Sequence, residues 1–282
     1  MSWIDWILNL AGWLLWLKWR SVTFESGTQP IGVSLAGTLR RAESRPSRRS
    51  FPLLFLAVLL GLRAVFYWHI GSAMNWMPNL QLGSVVIGFR SDYFGRMLLF
   101  SLLSFGQLLA VFYLWLLLLS ALDRPQATPD NFQKLVRLHL GWVARWPRAI
   151  KLLLPLFAGT LVWVLLQYLL VLAGLMPAPR STLHLWEQAL VMGLGSYLAW
   201  KFLAVGLLLV HLLNSYVYLG NGPFWNYVNN HARQLLRLLA WLPLHAGRVD
   251  FAPVGGIALV FGLAELGAWG LTRLFEMLPL GG

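Results

Sequence analysis

Long apolar runs alternate with shorter polar segments along most of the chain. Five of these runs stand out, at 51–70, 97–121, 152–175, 188–213 and 253–276. An α-helix needs about 20 consecutive apolar residues to cross a bilayer, and each run is close to that length. The pattern therefore predicts an all-α membrane protein with five or six transmembrane helices.

A further apolar segment, residues 3–17, is shorter and rich in tryptophan. No basic residue precedes it and no small-residue cleavage site follows it, so it is unlike a secretory signal peptide. The segment is short for a transmembrane helix. Its aromatic residues fit an interfacial helix or a short span with an aromatic belt at each end, and both interpretations stay open. These residues are Trp3, Trp6, Trp13 and Trp16, followed just after the segment by Trp19.

The composition agrees with a membrane protein and excludes several kinds of chemistry. Of the 282 residues, 58% are hydrophobic and 11% are charged, whereas soluble domains carry roughly 25% charged residues. Because the chain has no cysteine, disulfides, thiolate catalysis and cysteine-ligated zinc are excluded.

The distribution of basic residues predicts which segments face the cytoplasm. Lys and Arg are concentrated in 18–49, 123–151 and 214–250, whereas 71–96 and 176–187 carry few. By the positive-inside rule, the segments 18–50, 122–151 and 214–252 face the cytoplasm. The C-terminus then lies on the opposite side of the membrane.

Two of the predicted cytoplasmic segments have the pattern of amphipathic helices. In 224–242, apolar residues recur every three or four positions, and Arg233 and Arg237 lie off the apolar face. Segment 130–147 is similar but less regular. Such helices lie at the membrane surface. They act either as connectors packed on the helix bundle or as docking surfaces for a protein partner or for lipid.

A basic arm, residues 21–50, connects the first apolar segment to the first long span. Each basic residue near an anionic membrane surface contributes about 1 kcal/mol of binding free energy. We therefore expect the arm to lie against anionic headgroups. The arm lacks aromatic residues interleaved with its basic ones, so we expect no nucleic-acid partner.

Residues 97–175 and 176–282 form two weakly similar repeats. Each repeat has a helix leading to the cytoplasm, an amphipathic helix and a helix leading back, so the two repeats have the same orientation. A pseudo-two-fold axis along the membrane normal is expected to relate them. The aligned pairs are Phe132 with Phe224, Val136 with Val228, His139 with His231, Ser104 with Ser196 and, after a short insertion, Pro155 with Pro253. The remaining domains are 1–50, the tryptophan-rich helix and basic arm, and 51–96, the first long span and its external loop.

The last apolar run opens with an acid and a proline. Asp250 stands where an N-cap residue belongs, and its carboxylate can accept from the first amides of the helix. Pro253 falls in the first turn, where its missing N–H is not needed. We therefore predict that Asp250 caps this helix.

In the second repeat, the turn GNGPFW is followed by a basic amphipathic helix and then by the motif DFAP. This order resembles the YggT family, also called YlmG, of bacterial inner-membrane proteins over about 221–265. Ala252 stands where that family usually has Ser, the first repeat is a degenerate version, and 1–95 lie outside the resemblance. The matching positions are Pro223, Arg233, Arg237, Pro243, Gly247, Asp250 and Pro253.

The resemblance implies a multi-pass protein of the bacterial cytoplasmic membrane that is not an enzyme. Members of that family are linked to osmotic tolerance and ion homeostasis, to cell division, and in plastids to cytochrome assembly. We therefore expect a scaffold or assembly factor with a protein partner on its cytoplasmic face. The alternative is a transporter or transport modulator in ion or osmotic homeostasis. Self-association into a homo-oligomer stays open.

Each of the five long runs carries a polar residue near its middle. A charge at the bilayer centre costs about 2.5–3.5 kcal/mol, so such groups are expected to turn inward and pair. We predict an ion pair between Lys201 and Glu265, with the other three residues nearby. The five residues of this polar layer are Arg63, Gln107, Gln167, Lys201 and Glu265.

The polar layer has two interpretations. It either holds the helices in register or lines a path for ions or protons. Because no conspicuous Gly or Pro break is seen at mid-helix, the sequence favours the structural role. The six histidines lack metal-binding spacings, and neither a Ser/His/acid arrangement nor a phosphate-binding loop is present. We therefore expect no catalytic residue, metal or cofactor.

Overall fold

The computed structural model of the chain describes residues 2–25, 50–83, 85–123, 131–217, 222–237, 245–246 and 249–278. Within these ranges the protein is almost entirely α-helical, as predicted. Five helical segments are long and apolar enough to cross a membrane, and they coincide with the five predicted runs. They are Phe51–Met74, Phe94–Leu122, Arg148–Leu172, Thr182–Tyr216 and Ala252–Met277.

The elements are numbered in chain order. The helices are α1 Ser2–Glu25, α2 Phe51–Met74, α3 Phe94–Leu122, α4 Asn131–Leu140, α5 Arg148–Leu172, α6 Thr182–Gly195, α7 Trp200–Tyr216, α8 Pro223–Leu236 and α9 Ala252–Met277. Two 3-10 helices, Gly141–Arg145 and Ser196–Ala199, follow α4 and α6. Strands β1 Asn79–Leu82 and β2 Val85–Gly88 pair with each other, and β3 His245–Ala246 pairs antiparallel with β4 Val249–Asp250.

The chain forms two compact units, and the division between them falls inside α3. The first unit is Met1–Leu80 with Ile87–Ala110, and the second is Gln81–Val86 with Val111–Gly282. The domain division predicted above follows the repeat pattern instead of compactness, and it stays a prediction.

In the first unit, α1 lies antiparallel along α2. Near the start of α1, Asp5 bonds to Arg63. About three turns further on, Trp16 packs against the cluster formed by Leu56, Leu60 and Phe105. Gly12 permits this packing, since a Cβ there would lie 2.9 Å from the Phe105 ring on α3 and 3.3 Å from a methyl group of Leu56 on α2. Helix α1 is not among the five described segments that are long and apolar enough to cross a membrane, so the short span and the interfacial helix both stay predictions.

The loop predicted between the first two long spans contains the β1–β2 hairpin, which the sequence analysis missed. The two strands are joined at Gly83, whose φ of +56° lies in the left-handed region that glycine tolerates best. Leu80, Ile87 and Phe89 are buried. A four-residue strand is too short to give a clear alternating pattern, and this is why the hairpin was not recognised.

In the second unit, the fourth long span is interrupted at mid-length by the 3-10 helix Ser196–Ala199. The expectation that no helix breaks near its middle is therefore wrong. Glycines at 193 and 195 lower the local helix propensity just before the interruption. The indole Nε1 of Trp115 donates to the Ala199 carbonyl at 2.7 Å, and that of Trp200 donates to the Leu114 carbonyl at 2.9 Å. These two bonds connect the interruption to α3.

The most extensive helix contact in the second unit is that between α5 and α6. It depends on two glycines that face each other. A Cβ on Gly159 would lie 3.0 Å from the Gly193 Cα, and a Cβ on Gly193 would lie 2.3 Å from Thr160 Oγ1 and 2.6 Å from the Leu156 carbonyl oxygen. Small residues allow such close backbone packing between membrane helices.

Both predicted amphipathic helices are present, and they contact each other through equivalent residues of the two repeats. The Phe132 and Phe224 ring centroids are 5.6 Å apart. The equivalent histidines also bond alike, since His139 Nδ1 lies 3.0 Å from the Leu135 carbonyl oxygen and His231 Nδ1 lies 2.8 Å from that of Tyr227. These contacts agree with a local two-fold relation between α4 and α8.

The start of α9 corrects one prediction. The helix begins at Ala252 and its N-cap residue is Phe251, so Asp250 lies one position before the cap and in strand β4. The predicted N-cap role of Asp250 is therefore wrong, because the strand pairing extends to the residue before the cap. Pro253 lies in the first turn as predicted and is fully buried, like its repeat counterpart Pro155. Pro243 and Gly247 lie outside the described residues.

Replacing Gly193 by Ala is expected to lower the free energy of unfolding by about 1–3 kcal/mol, because the new methyl group overlaps Thr160 and Leu156. Unfolding in mixed detergent micelles measures the change. Gly206→Ala is the matched control, because a Cβ at this α7 position meets nothing within 4 Å. Equal unfolding free energies for the two variants would contradict the close contact.

Candidate functional site

The first candidate site is a buried charged cluster at mid-length of α2. Arg63 Nη2 lies 2.7 Å from Asp5 Oδ1, and Arg63 Nη1 donates to Asn9 Oδ1 at 2.7 Å. Ser104 Oγ accepts from Arg63 Nη2 at 3.1 Å and from Asn9 Nδ2 at 2.9 Å. The Tyr67 hydroxyl donates to Asp5 Oδ1. The Arg63 side chain is 1% exposed, so the guanidinium charge is balanced inside the protein.

Helical spacing builds this cluster. Asp5 and Asn9 are one turn apart on α1, and Arg63 and Tyr67 are one turn apart on α2, so each helix presents two polar groups on one face. The antiparallel packing of α1 on α2 brings the two faces together. The sequence analysis chose Arg63 but missed Asp5 and Asn9. The available signal was their spacing of four residues in an otherwise apolar, tryptophan-rich helix.

The second candidate site is the predicted pair of Lys201 and Glu265. Lys201 Nζ donates to Glu265 Oε1 at 2.9 Å, so the predicted contact is confirmed. Lys201 lies at the start of α7, directly after the 3-10 interruption, and Glu265 lies at the middle of α9. Lys201 Nζ also lies 5.2 Å from the Phe202 ring centroid and 5.7 Å from that of Phe261. Aromatic faces stabilise a partly desolvated ammonium group.

The expected inward orientation of this pair is wrong. The Glu265 side chain is 68% exposed and that of Lys201 is 19% exposed. The physical reason is the position of α9, which is the least buried of the five membrane-spanning segments. The carboxylate therefore lies on the outer surface of the second unit, at mid-length of a helix that crosses the membrane.

The two glutamines of the polar layer have different surroundings. Gln167, on α5, is buried, whereas Gln107, on α3, is half-buried. Gln167 shares the second unit with Lys201 and Glu265, whereas Arg63 and Gln107 belong to the first unit. A single polar layer through all five spans stays a prediction.

A third group of polar side chains holds α8 to the second unit. His231 Nε2 lies 3.0 Å from Asp123 Oδ1, and Gln133 Nε2 donates to the same oxygen at 3.3 Å. His211 Nδ1 lies 2.8 Å from Asn229 Oδ1, which connects α7 to α8. His231 and Gln133 are both buried. This face of α8 is therefore fixed by directional contacts as well as by apolar packing.

The opposite face of α8 carries an exposed polar stripe, which we call the basic stripe. It repeats every three or four residues and consists of Asn226, Asn230, Arg233 and Arg237, all of which are exposed. Further exposed cations lie on α4 and the segment after it, at Lys134, Arg137, Arg145 and Arg148. The range 131–148 and α8 contain no acidic residue, so this surface is cationic throughout.

Within the described residues, no group of three or more His, Asp and Glu side chains is placed to hold a metal ion. Comparison of the chain with protein-family models, with curated proteins and with solved structures found no match. The function must therefore be argued from the polar groups themselves.

The substitution Arg63→Met is expected to lower the free energy of unfolding by up to about 3–5 kcal/mol, because the half-buried Asp5 is left without its counter-charge. Combining Arg63→Met with Asp5→Leu should recover part of this loss, since no unpaired charge remains. A double-mutant cycle on unfolding free energies measures the coupling. The exposed pair Arg90–Asp92, with N and O 3.0 Å apart, is the control, and it should give a coupling of about 0–1 kcal/mol. Additive effects at Arg63 and Asp5 would contradict the pairing.

Proposed function

We propose that the protein is a non-enzymatic scaffold or assembly factor of the bacterial cytoplasmic membrane, related in kind to the YggT family. Its docking surface is the basic stripe of α8 together with the cations of α4. In this proposal the surface faces the cytoplasm and the C-terminus lies on the other side. The observation that carries the proposal is an exposed cationic helix face whose opposite face is fixed to the bundle.

Fixing one face of α8 makes the other face suitable for binding. A docking helix that is already ordered loses little conformational entropy when a partner binds. The buried residues Tyr227, Val228, His231 and Ala232 provide this order. A plain connector would need the buried face but has no need for two arginines in register on the exposed one.

The charge of the surface indicates the partner. With six exposed Lys and Arg on α4, α8 and the segments next to them, and without acids in those ranges, the surface attracts an acidic partner. Exposed Trp142 packs edge to face on Trp146, with ring centroids 5.4 Å apart. Aromatic and Arg side chains are enriched at the centres of protein interfaces. We therefore assign the surface to an acidic protein.

The test places a photo-crosslinking amino acid at Asn230, inside the basic stripe, in cells that express the protein. We expect one discrete protein adduct at this position. Reversing both charges, as Arg233→Glu with Arg237→Glu, should lower the adduct yield at least about tenfold, because each arginine of a desolvated interface contributes about 1 kcal/mol or more. Mass spectrometry of the adduct identifies the bound protein.

The matched control is Arg180→Glu, a charge reversal at an exposed position on the loop before α6, which is predicted to lie on the other side of the membrane. It should leave the adduct unchanged, and all variants should melt at the same temperature. Adducts with lipid alone would contradict the proposal. A protein adduct whose yield is unchanged by the double substitution Arg233→Glu with Arg237→Glu would contradict it as well.

A second candidate function, ion transport, is favoured by one observation. The 3-10 interruption at 196–199 lies directly before Lys201, and such mid-helix interruptions often mark functional hinges. If Lys201 and Glu265 form a transport site, Glu265→Gln should abolish the flux of potassium, sodium or protons into proteoliposomes while the protein still folds. Absence of flux in the wild-type protein would exclude ion transport, and the scaffold function would remain as the proposal.

A further inference from the structure

We infer that two copies of the chain pair side by side in the membrane through the outer face of α9, by interlocking their Lys201–Glu265 pairs. This inference concerns a different face from the basic stripe and does not depend on the proposed scaffold function. It starts from the exposed carboxylate at mid-length of a membrane-spanning helix.

Hydrocarbon is an unfavourable environment for this carboxylate. Ionisable residues inside membrane spans nearly always face a bundle interior or a water-filled cavity. Among the described residues Glu265 does neither, since its side chain is 68% exposed and Lys201 contacts it from one side. A second protein surface over Glu265 would remove it from the lipid.

The predicted repeat provides a comparison for this position. Gln167 is the position equivalent to Glu265 in the first repeat, and it is buried. Its helix, α5, packs along α6 in the most extensive helix contact of the unit. Helix α9 packs on α7 but lacks a neighbour of comparable extent on its outer side among the described residues. The outer face of α9 is thus the place where one more helix would complete the second repeat.

The outer face differs from an ordinary lipid-facing surface. Side chains that face lipid are mostly large and apolar, whereas helix interfaces are enriched in small and polar residues. One exposed stripe of α9 repeats every three or four positions and, apart from Trp269, consists of small or polar residues. Its members are Ala258, Gly262, Glu265, Trp269, Thr272 and Glu276. At Gly262 a Cβ would meet nothing within 4 Å, so another backbone can approach there.

A second copy fits this face because the charges are self-complementary. A two-fold interface brings the same patch of both copies together, and at mid-depth this patch carries one acid, Glu265, and one base, Lys201. The carboxylate has two oxygens, of which Oε1 bonds to Lys201 of its own chain. The second oxygen can accept from Lys201 of the other copy, since an ammonium group has three donors. The four charges at this depth then alternate around the axis, and their sum is zero.

The chain is well suited to a direct test because it has no cysteine. Gly262→Cys should give a disulfide-linked dimer on mild oxidation of intact membranes, whereas Leu263→Cys, exposed on the flank of α9, should not. This pair of positions compares two faces of the same helix at the same depth. A dimer from Leu263→Cys alone, or from neither variant, would overturn the inference.

Charge exchange distinguishes contacts between copies from contacts within one copy. Lys201→Glu and Glu265→Lys, each expressed alone, should weaken self-association in lipid vesicles about tenfold or more, because like charges then meet across the interface. Co-expression of the two variants under different tags should restore the pairing, since one copy then carries two acids and the other two bases. The inference would be overturned if the two co-expressed variants associate no more strongly than either variant does alone.

A bulky substitution keeps the test independent of charge and folding. Gly262→Phe should abolish the dimer without changing the melting temperature of the monomer, because a Cβ at this position meets nothing within 4 Å among the described residues. Gly106→Phe, at an exposed α3 position that also has nothing within 4 Å, should leave the dimer intact. The inference would be refuted if the wild-type chain stays monomeric at high density in vesicles. It would also be refuted if α9 binds a different protein and not a second copy of this chain.

Discussion

The dominant constraint on this protein is the free energy needed to remove charge from water. Inside a bilayer, helices satisfy the backbone hydrogen bonds, and the remaining problem is the small number of charged side chains at mid-depth. In the first unit the problem is solved within the chain, because Asp5 neutralises Arg63 and Ser104 and Asn9 occupy further donors and acceptors. In the second unit it is solved only in part, since Glu265 has a counter-charge but is not covered.

This difference separates the roles of the two charged pairs. A pair whose cation is buried, such as Arg63 with the half-buried Asp5, fixes how two helices pack, and its guanidinium has little access to anything outside the protein. A pair on the outer surface, such as Lys201–Glu265, can bind something in the membrane. The cationic surface of α4 and α8, which we propose faces the cytoplasm, would act through weaker, longer-range forces. The two proposed contact surfaces therefore differ in chemistry, one within the membrane and one beside it.

The sequence predicted those features that depend on local composition. Hydropathy located all five spans, because the stability of a helix in lipid depends on its own residues. The contact of Lys201 with Glu265 was also predictable, since both lie at mid-depth. Asp5 was missed because its partner is 58 positions away and because hydropathy alone does not show which helix packs on α2. The interruption after Gly195 and the outward orientation of Glu265 depend on which helices are neighbours, which is not a property of any single segment.

The contact of Phe132 with Phe224 has an evolutionary consequence. When equivalent residues of two repeats touch each other, the symmetry axis must pass between them. The same contact would then be available to two separate copies of a half-length ancestor, each contributing one phenylalanine. Fusion of two such copies into one polypeptide would preserve the contact and free each half to diverge. If the predicted repeat holds, Glu265 and the buried Gln167 are an example of that divergence, because a fused pair no longer has to keep its two halves identical.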